Sequence, residues 1–286
     1  MNARPLLALL VLIWAISWPV IKVGVAAVPP IWFACLRYTI ATGVLVAISG
    51  ARGTLRFPAR SDRQLVLVSG LLQMAAYSAL TTLALTKLSA GRASVLAFST
   101  PLWVVPLAVW RRQERVSWRA SLGVVVGLVG IVVIALPSVL GGGARLAPAY
   151  AMLVASAAAW AVSIVFVREH RFEASPIVLA PWQTLVAAII LLLVAVATEG
   201  APPPIGWRGL LALAYVGPVA TAFAYWAIVD VGRRLPASTL SVALLATPSL
   251  GLLISALTLG ERVDVALIVG MVFVGTGIRL AAPSRQ

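Results

Sequence analysis

The chain contains one pattern twice, in a fixed register. Thr100-Pro101 followed by Glu114-Arg115-Val116 recurs as Thr247-Pro248 followed by Glu261-Arg262-Val263, 147 residues downstream. At the same offset Leu88, Ala90, Ser94, Gly123 and Gly130 meet Leu235, Ala237, Ser241, Gly270 and Gly277. Nearer the start of each half the offset is 146. Trp14-Ala15-Ile16-Ser17 with Lys22 matches Trp160-Ala161-Val162-Ser163 with Arg168, and Pro30-Ile31 matches Pro176-Ile177. A register this long marks a tandem duplication, with units at residues 1–140 and 146–286. Any fold must therefore be built from two copies of one unit.

Composition sets the solvent for that unit. Of the residues, 62% are hydrophobic and only 10% charged, where soluble domains carry about 25% charged. The chain reads as a membrane protein, with the lipid bilayer as its first partner. The apolar run from Pro5 to about Val28 is too long for a signal h-region of about 7–15 residues. It is the first of ten stretches able to cross about 30 Å of hydrocarbon. The others run roughly 30–49, 64–86, 90–110, 118–136, 148–167, 175–198, 207–229, 237–258 and 263–281. The net charge of +14 does not signal nucleic acid, because the basic residues lie between apolar runs and form no stripe with interleaved aromatics. The single cysteine, Cys35, lies within an apolar run as a packing residue and excludes an intrachain disulfide.

Five helices per copy is an odd number, so the second copy enters the membrane upside down. Charge agrees with that inversion. With a cytoplasmic N-terminus, fifteen Lys and Arg fall on inner segments. Six, Lys22, Lys87, Arg92, Arg145, Arg208 and Arg262, fall on outer ones, and Arg37 lies within helix 2. That imbalance obeys the positive-inside rule. The expected fold class is thus all-α and integral to the membrane, with ten transmembrane helices as two inverted five-helix repeats. Inverted repeats are an architecture of secondary transporters, because one unit inserted both ways gives two near-equivalent states open to opposite sides.

The eight acidic residues all fall in loops or at helix ends. No carboxylate sits at mid-membrane, where proton- and sodium-coupled carriers keep one, so the reading is an uncoupled facilitator or exchanger. The same inventory speaks against an enzyme, the alternative being a membrane-integral lipid-modifying one. There is no intrahelical acid pair and no serine with a base in reach. One cysteine and one histidine, His170, make no metal site, and no cofactor is implied.

Recognition must then rest on aromatic and small polar side chains inside helices, which bury an apolar body and orient it with a few polar groups. Helix 1 offers Trp14, Ser17 and Trp18 on neighbouring faces. Helix 3 offers Gln73, Tyr77 and Thr81, a stripe that is costly to leave in lipid. Helix 4 adds Phe98 and Thr100, helix 6 Trp160 and Ser163, and helix 7 Gln183. Helix 8 adds Tyr215, Thr221, Tyr225 and Trp226. The plainer role for such residues is backbone capping, interhelical hydrogen bonding or an interfacial belt. Pro101 and Pro248 each remove an intrahelical hydrogen bond, to the carbonyls of Ala97 and Leu244, and are read as paired hinges. Gly123, Gly127 and Gly130 on helix 5 and Gly270 and Gly277 on helix 10 suit close helix packing. Glu114-Arg115 and Glu261-Arg262, just beyond helices 4 and 9, read as boundary anchors, with a gate latch as the sharper alternative.

These residues together resemble the drug/metabolite transporter superfamily, specifically its ten-helix EamA-type members. The resemblance is carried by W-x-x-S on helices 1 and 6, the P-x-x-F-A-x-x-R-Y stretch Pro30–Tyr38, and the T-P then E-R signature in each half. Aromatic content and length are similar to the YddG-type branch, exporters of aromatic and other amino acids. The resemblance implies a small-molecule substrate, an amino acid or related metabolite, with a broad drug or metabolite exporter as the alternative. It also implies a multi-pass protein of the bacterial inner membrane with both termini cytoplasmic. A central cavity would be lined by helices 1–4 and 6–9, with helices 5 and 10 peripheral. Nothing in the pattern specifies an oligomer. In the second half PIVLAPWQ replaces the first half's motif, and Gln183 stands where a second arginine would fall, which makes Arg37 a poor candidate for a symmetric substrate clamp.

Overall fold

A computed structural model describes residues 3–111, 117–142, 144–170 and 173–281. Glu114 and Arg115 of the first repeated signature, together with Gly143, Arg171 and Arg285, lie outside these residues.

Among the described residues the chain forms ten helical rods. These are α1 (Ala3–Ala27), α2 (Pro30–Ala51), α3 (Arg60–Leu85), α4 (Ala90–Trp110), α5 (Trp118–Gly142), α6 (Ala147–Glu169), α7 (Pro176–Glu199), α8 (Trp207–Arg234), α9 (Ala237–Leu259) and α10 (Val265–Ala281). Ten helices form where ten spans are expected; among the described residues eight are long and apolar enough to cross a membrane, while the apolar parts of α9 and α10 are shorter. Helix α3 begins at Arg60 and α8 runs on to Arg234, because their charged terminal turns extend past the hydrocarbon and cost nothing there. Helix α5 continues through Pro137 to Gly142, past the expected end at residue 136.

Three rods are not regular. In α3 the stretch Ser69–Ala76 is π-helical, as is Pro218–Phe223 in α8. Helix α4 is broken by a turn at Phe98 and Ser99 into Ala90–Ala97 and Thr100–Trp110, with Pro101 in the first turn of the second segment. Proline is tolerated there because the first N–H groups of a helix have no intrahelical acceptor. Its partner Pro248 lies inside the unbroken α9.

The helix pairs follow the duplication. Helix α2 packs on α7 and α5 on α10, while α1 packs on α8 and α9 as α6 packs on α3 and α4. Exchanging the halves returns the same set of pairs, which is consistent with an inverted-repeat arrangement. Carboxylates tie the two ends of α7 to different helices, α2 at one end and α3 at the other. Glu199, closing α7, accepts from the amides of Ile31 (3.0 Å) and Trp32 (2.9 Å) at the start of α2. Buried Asp62, opening α3, accepts from the amides of Glu173 (3.1 Å) and Ala174 (3.0 Å) just before α7. Both place negative charge at the positive end of a helix, where it is stabilising. On α5, α7 and α10 the exposed surface is a run of Leu, Val, Ile and Phe, such as Val125, Leu193 and Val272. With no water to satisfy a bare backbone in hydrocarbon, helices with this apolar exterior make a multi-pass membrane fold.

Candidate functional site

The π segments decide what faces the interior. An extra residue per turn shifts the side chains that follow around the helix and frees a carbonyl. Thr221, within the π segment of α8, satisfies one such carbonyl by donating to Val216 O at 2.7 Å. Gln73 lies within the π segment of α3 and Tyr77 directly follows it.

Between the two halves lies a cavity of about 210 Å³. It is smaller than the pockets of roughly 300 Å³ and above that take drug-sized ligands. Its wall is mainly apolar and aromatic, with isolated hydroxyl and amide groups. Helix α1 contributes Trp14, Ser17, Trp18 and Ile21, and α3 contributes Gln73, Met74, Tyr77, Thr81 and Leu85. Phe98 comes from the turn that breaks α4, Trp160 from α6, and Ala220, Thr221, Tyr225 and Ile228 from α8. Among the described residues α5 and α10 contribute nothing to the lining, as expected, and neither do α7 and α9, which were expected to line it.

The repeat-related tryptophans Trp14 and Trp160 play matching parts. Trp14, on α1, donates through Nε1 to Ala220 O on α8 at 3.3 Å. Trp160, on α6, packs edge-on against Tyr77 of α3, with ring centroids 4.8 Å apart. Each crosses to the π-containing helix of the opposite half. Trp18 and Phe98 meet at 6.3 Å across α1 and α4. These rings fix the shape of the wall, since aromatic pairs hold preferred tilted geometries.

The remaining sequence candidates stand behind this wall. Gln183 Oε1 accepts from the Tyr225 hydroxyl at 2.7 Å, and Ser163 donates to Gln73 Oε1 at 3.5 Å. They orient lining residues without touching the cavity. Thr100 donates to Ala97 O (3.1 Å), the carbonyl that Pro101 would leave unbonded in a continuous helix. The Tyr215 hydroxyl donates to Ile13 O (2.9 Å), binding α8 to α1, and Trp226 packs on Phe223 at 5.6 Å.

Two polar lining residues are absent from the sequence candidates, Arg37 and Tyr38 on α2. Arg37 donates through Nε to Thr221 Oγ1 at 2.7 Å. The signal that finds it is its depth: an arginine inside a membrane helix is costly and needs a reason.

At one end of the molecule a charged cluster binds the two halves. Glu261 accepts from the amides of Ala90 (2.6 Å) and Gly91 (3.0 Å) at the start of α4. Lys22 donates to the carbonyls of Leu85 (2.5 Å) and Leu88 (2.8 Å) at the end of α3. Arg92 pairs with Asp264 and also donates to Ser138. His170 bonds the Phe166 carbonyl at 2.8 Å and stacks on that ring, so it is less solvated than its loop position suggests. Among the described residues no group of His, Cys, Asp and Glu is placed to hold a metal ion.

A multi-pass helical membrane protein with a small, largely apolar cavity between two like halves belongs to the class of solute carriers. Comparison makes that specific. The chain matches the EamA-like transporter family twice, over residues 3–136 and 147–282, and belongs to that family. It is 24% identical to the uncharacterized transporter YoaV of Bacillus subtilis, over 93% of this chain and 92% of that one. A probable amino-acid metabolite efflux pump of Salmonella typhimurium is 25% identical over 94% and 91% of the two chains. A probable terminal-alkyne amino-acid exporter of Streptantibioticus cattleyicolor is 33% identical over 49% and 46%. A solved crystal structure with 24% identity superposes with a TM-score of 0.65, covering 98% of this chain and 96% of its own, and shares the fold. Family membership makes this chain a transporter of small solutes.

Proposed function

We propose that this transporter exports small uncharged or zwitterionic solutes, amino acids including aromatic ones, by alternating access. The observation that carries the reading is the cavity of about 210 Å³ walled by Trp14, Trp160, Tyr77 and Tyr225, with hydroxyl and amide groups between the rings. Such a wall buries an aromatic or aliphatic side chain and leaves a few polar groups to hold its head. Relatives that are probable exporters of amino acids or their metabolites point the same way. The halves are read as inserted in opposite orientations in a bacterial inner membrane, with both termini cytoplasmic. The positive-inside imbalance supports this, as does the exchange symmetry of the helix pairs.

The break at Phe98–Ser99 supports a hinge in α4. Its first segment packs on α9, where Leu252 rides over Gly91, and on α1, whereas the second packs on α5; both touch α6. A bend between segments with different neighbours moves one without the other. The unbroken α9, with Pro248 inside it, is read as the same hinge in its other setting.

Counterflow of radiolabelled phenylalanine, threonine or methionine in proteoliposomes tests the function. Label should exchange into liposomes preloaded with the same unlabelled amino acid, and imposing a pH gradient should not cause accumulation. Absence of exchange with all three, beside uptake of unrelated drugs, would replace the reading by a broad drug exporter. Pro101→Ala and Pro248→Ala should each slow exchange by about fivefold to tenfold with little change in half-saturating concentration, as expected when a conformational step is limiting. Unchanged exchange in both variants assigns the prolines to packing.

A further inference from the structure

The cavity holds one fixed charge that nothing described in the protein neutralises. Arg37 lies seven residues beyond Pro30, the first residue of α2, about 10 Å along the helix at 1.5 Å per residue. It is an ionisable group within the hydrocarbon, where such groups are expensive and normally paired. Among the described residues no carboxylate pairs with it, and no Asp or Glu lines the cavity. Its one hydrogen bond runs from Nε to Thr221, whose hydroxyl is itself fixed by donation to Val216 O. The two Nη groups, which form the open end of the fork, have no acceptor among the described residues. A guanidinium held by Nε presents both Nη groups side by side, the arrangement that takes a carboxylate through two parallel bonds.

The second half supplies no counterpart. Gln183, where a repeated arginine would fall, is neutral and already accepts from Tyr225. The cavity is therefore electrically one-sided, with a cation on α2 that sits 5.4 Å from the Tyr38 ring centroid in a lining otherwise apolar, aromatic and neutral among the described residues. An ammonium group finds no acid here and at best an aromatic face.

We propose that Arg37 is the carboxylate anchor of this cavity, and that the solute must carry a carboxylate on an apolar or aromatic body while an ammonium group is dispensable. This shifts the substrate class proposed above, admitting carboxylate anions and excluding uncharged solutes, and rests on the reading of the cavity as the transport site. Amino acids are then one member of a wider set of small monocarboxylates, and amines lacking a carboxylate are excluded. Arg37, rejected as half of a symmetric clamp, acts alone and sets the direction in which the solute lies.

The test is competition against radiolabelled phenylalanine binding to the full-length protein in nanodiscs, using 3-phenylpropionate, its uncharged amide, and phenethylamine. Wild type should favour the acid over the amide by about 10- to 100-fold, the range expected for hydrogen bonds to a charged group, and should reject phenethylamine. In Arg37→Met the acid-to-amide ratio should fall to near one. Arg37→Lys and Thr221→Val, the latter freeing Arg37 from its fixing bond, should give intermediate ratios and decide the matter if Arg37→Met does not fold. Because a ratio within one preparation is read, a lower yield of folded protein does not alter it. A wild-type ratio near one with all three ligands bound, or a ratio retained in the Arg37 variants, overturns the anchor and leaves amino-acid transport standing. If wild type binds neither phenylalanine nor any analogue, both readings fall.

Discussion

Gly277→Leu is expected to abolish recovery of folded protein from the membrane, whereas Gly275→Leu, two residues away, should be recovered like wild type. The difference lies in what a side chain would meet. A β-carbon on Gly277 would stand 2.6 Å from the Gly123 carbonyl oxygen and from the main chain of Gly127, and one on Gly123 would stand 2.6 Å from Gly277 O and Ala281 N. These are backbone atoms of α5 and α10, which cannot swing aside as a side chain can. The helices must separate, and that undoes the rest of the contact, including Gly130 against Gly270. Overpacking costs about 1–3 kcal/mol where neighbours can adjust. Here the loss should exceed that and approach a large share of the 5–15 kcal/mol typical of a folded protein. A β-carbon on Gly275 meets nothing within 4 Å, and a leucine there faces lipid, which is as apolar as leucine itself. Thermal unfolding of the detergent-solubilised variants, followed by size-exclusion profile, separates the two. Equal behaviour would remove the glycine seam as the device that holds the two halves together outside the cavity.

The second large effect is expected at Glu261. Its carboxylate holds two amides of the first turn of α4 from the connection between α9 and α10, and Lys22 holds the carbonyls that end α3. Opposite charges thus clamp the two sides of the short α3–α4 connection. Glu261→Ala orphans both amides and removes a negative charge from the positive end of the helix, at a cost of about 2–3 kcal/mol. The amides of Ala90 and Gly91 should then exchange hydrogen on the order of 30- to 100-fold faster. Arg262→Ala, which deletes the neighbouring charge, should leave them protected. Unaltered protection in Glu261→Ala would reduce the repeated E-R signature to a surface feature. If the clamp instead opens, the signature joins the halves where α4 meets α9.

Much of the architecture was open to reading because membrane spans and duplication both leave local signals. Ten apolar runs, a register at 146 and 147, and glycines aligned on helices 5 and 10 needed no knowledge of partners. Cavity residues were legible where a polar or aromatic side chain interrupts an apolar face, as with Trp14, Tyr77, Thr81 and Trp160. The π segments were not, because the i, i+4, i+8 spacing of Gln73, Tyr77 and Thr81 already fits an uninterrupted α-helix. Nor was the division between wall and support. Gln183 and Ser163 carry the same chemistry as Gln73 and Thr221, and only the packing of α7 and α6 decides that they stand one layer back. Glu199 and Asp62 looked like helix-end charges because the amides they hold belong to a different helix pair, over a hundred residues distant. Arg37 was set aside for lacking a twin, an argument from symmetry that a one-sided site does not obey.

The central claim is that the cavity between the halves opens to one side of the membrane at a time. Site-directed labelling tests it most directly. In a Cys35→Ala background, cysteine replaces either Ile21, near the end of α1, or Ile228, near the end of α8, two lining residues on opposite sides of the cavity in the proposed topology. A membrane-impermeant maleimide is applied to sealed vesicles of each orientation, with and without phenylalanine. Each cysteine should react from one side only, the two from opposite sides, and phenylalanine should move their rates in opposite directions. Reaction of both cysteines from the same side, at rates that phenylalanine leaves unchanged, would contradict it.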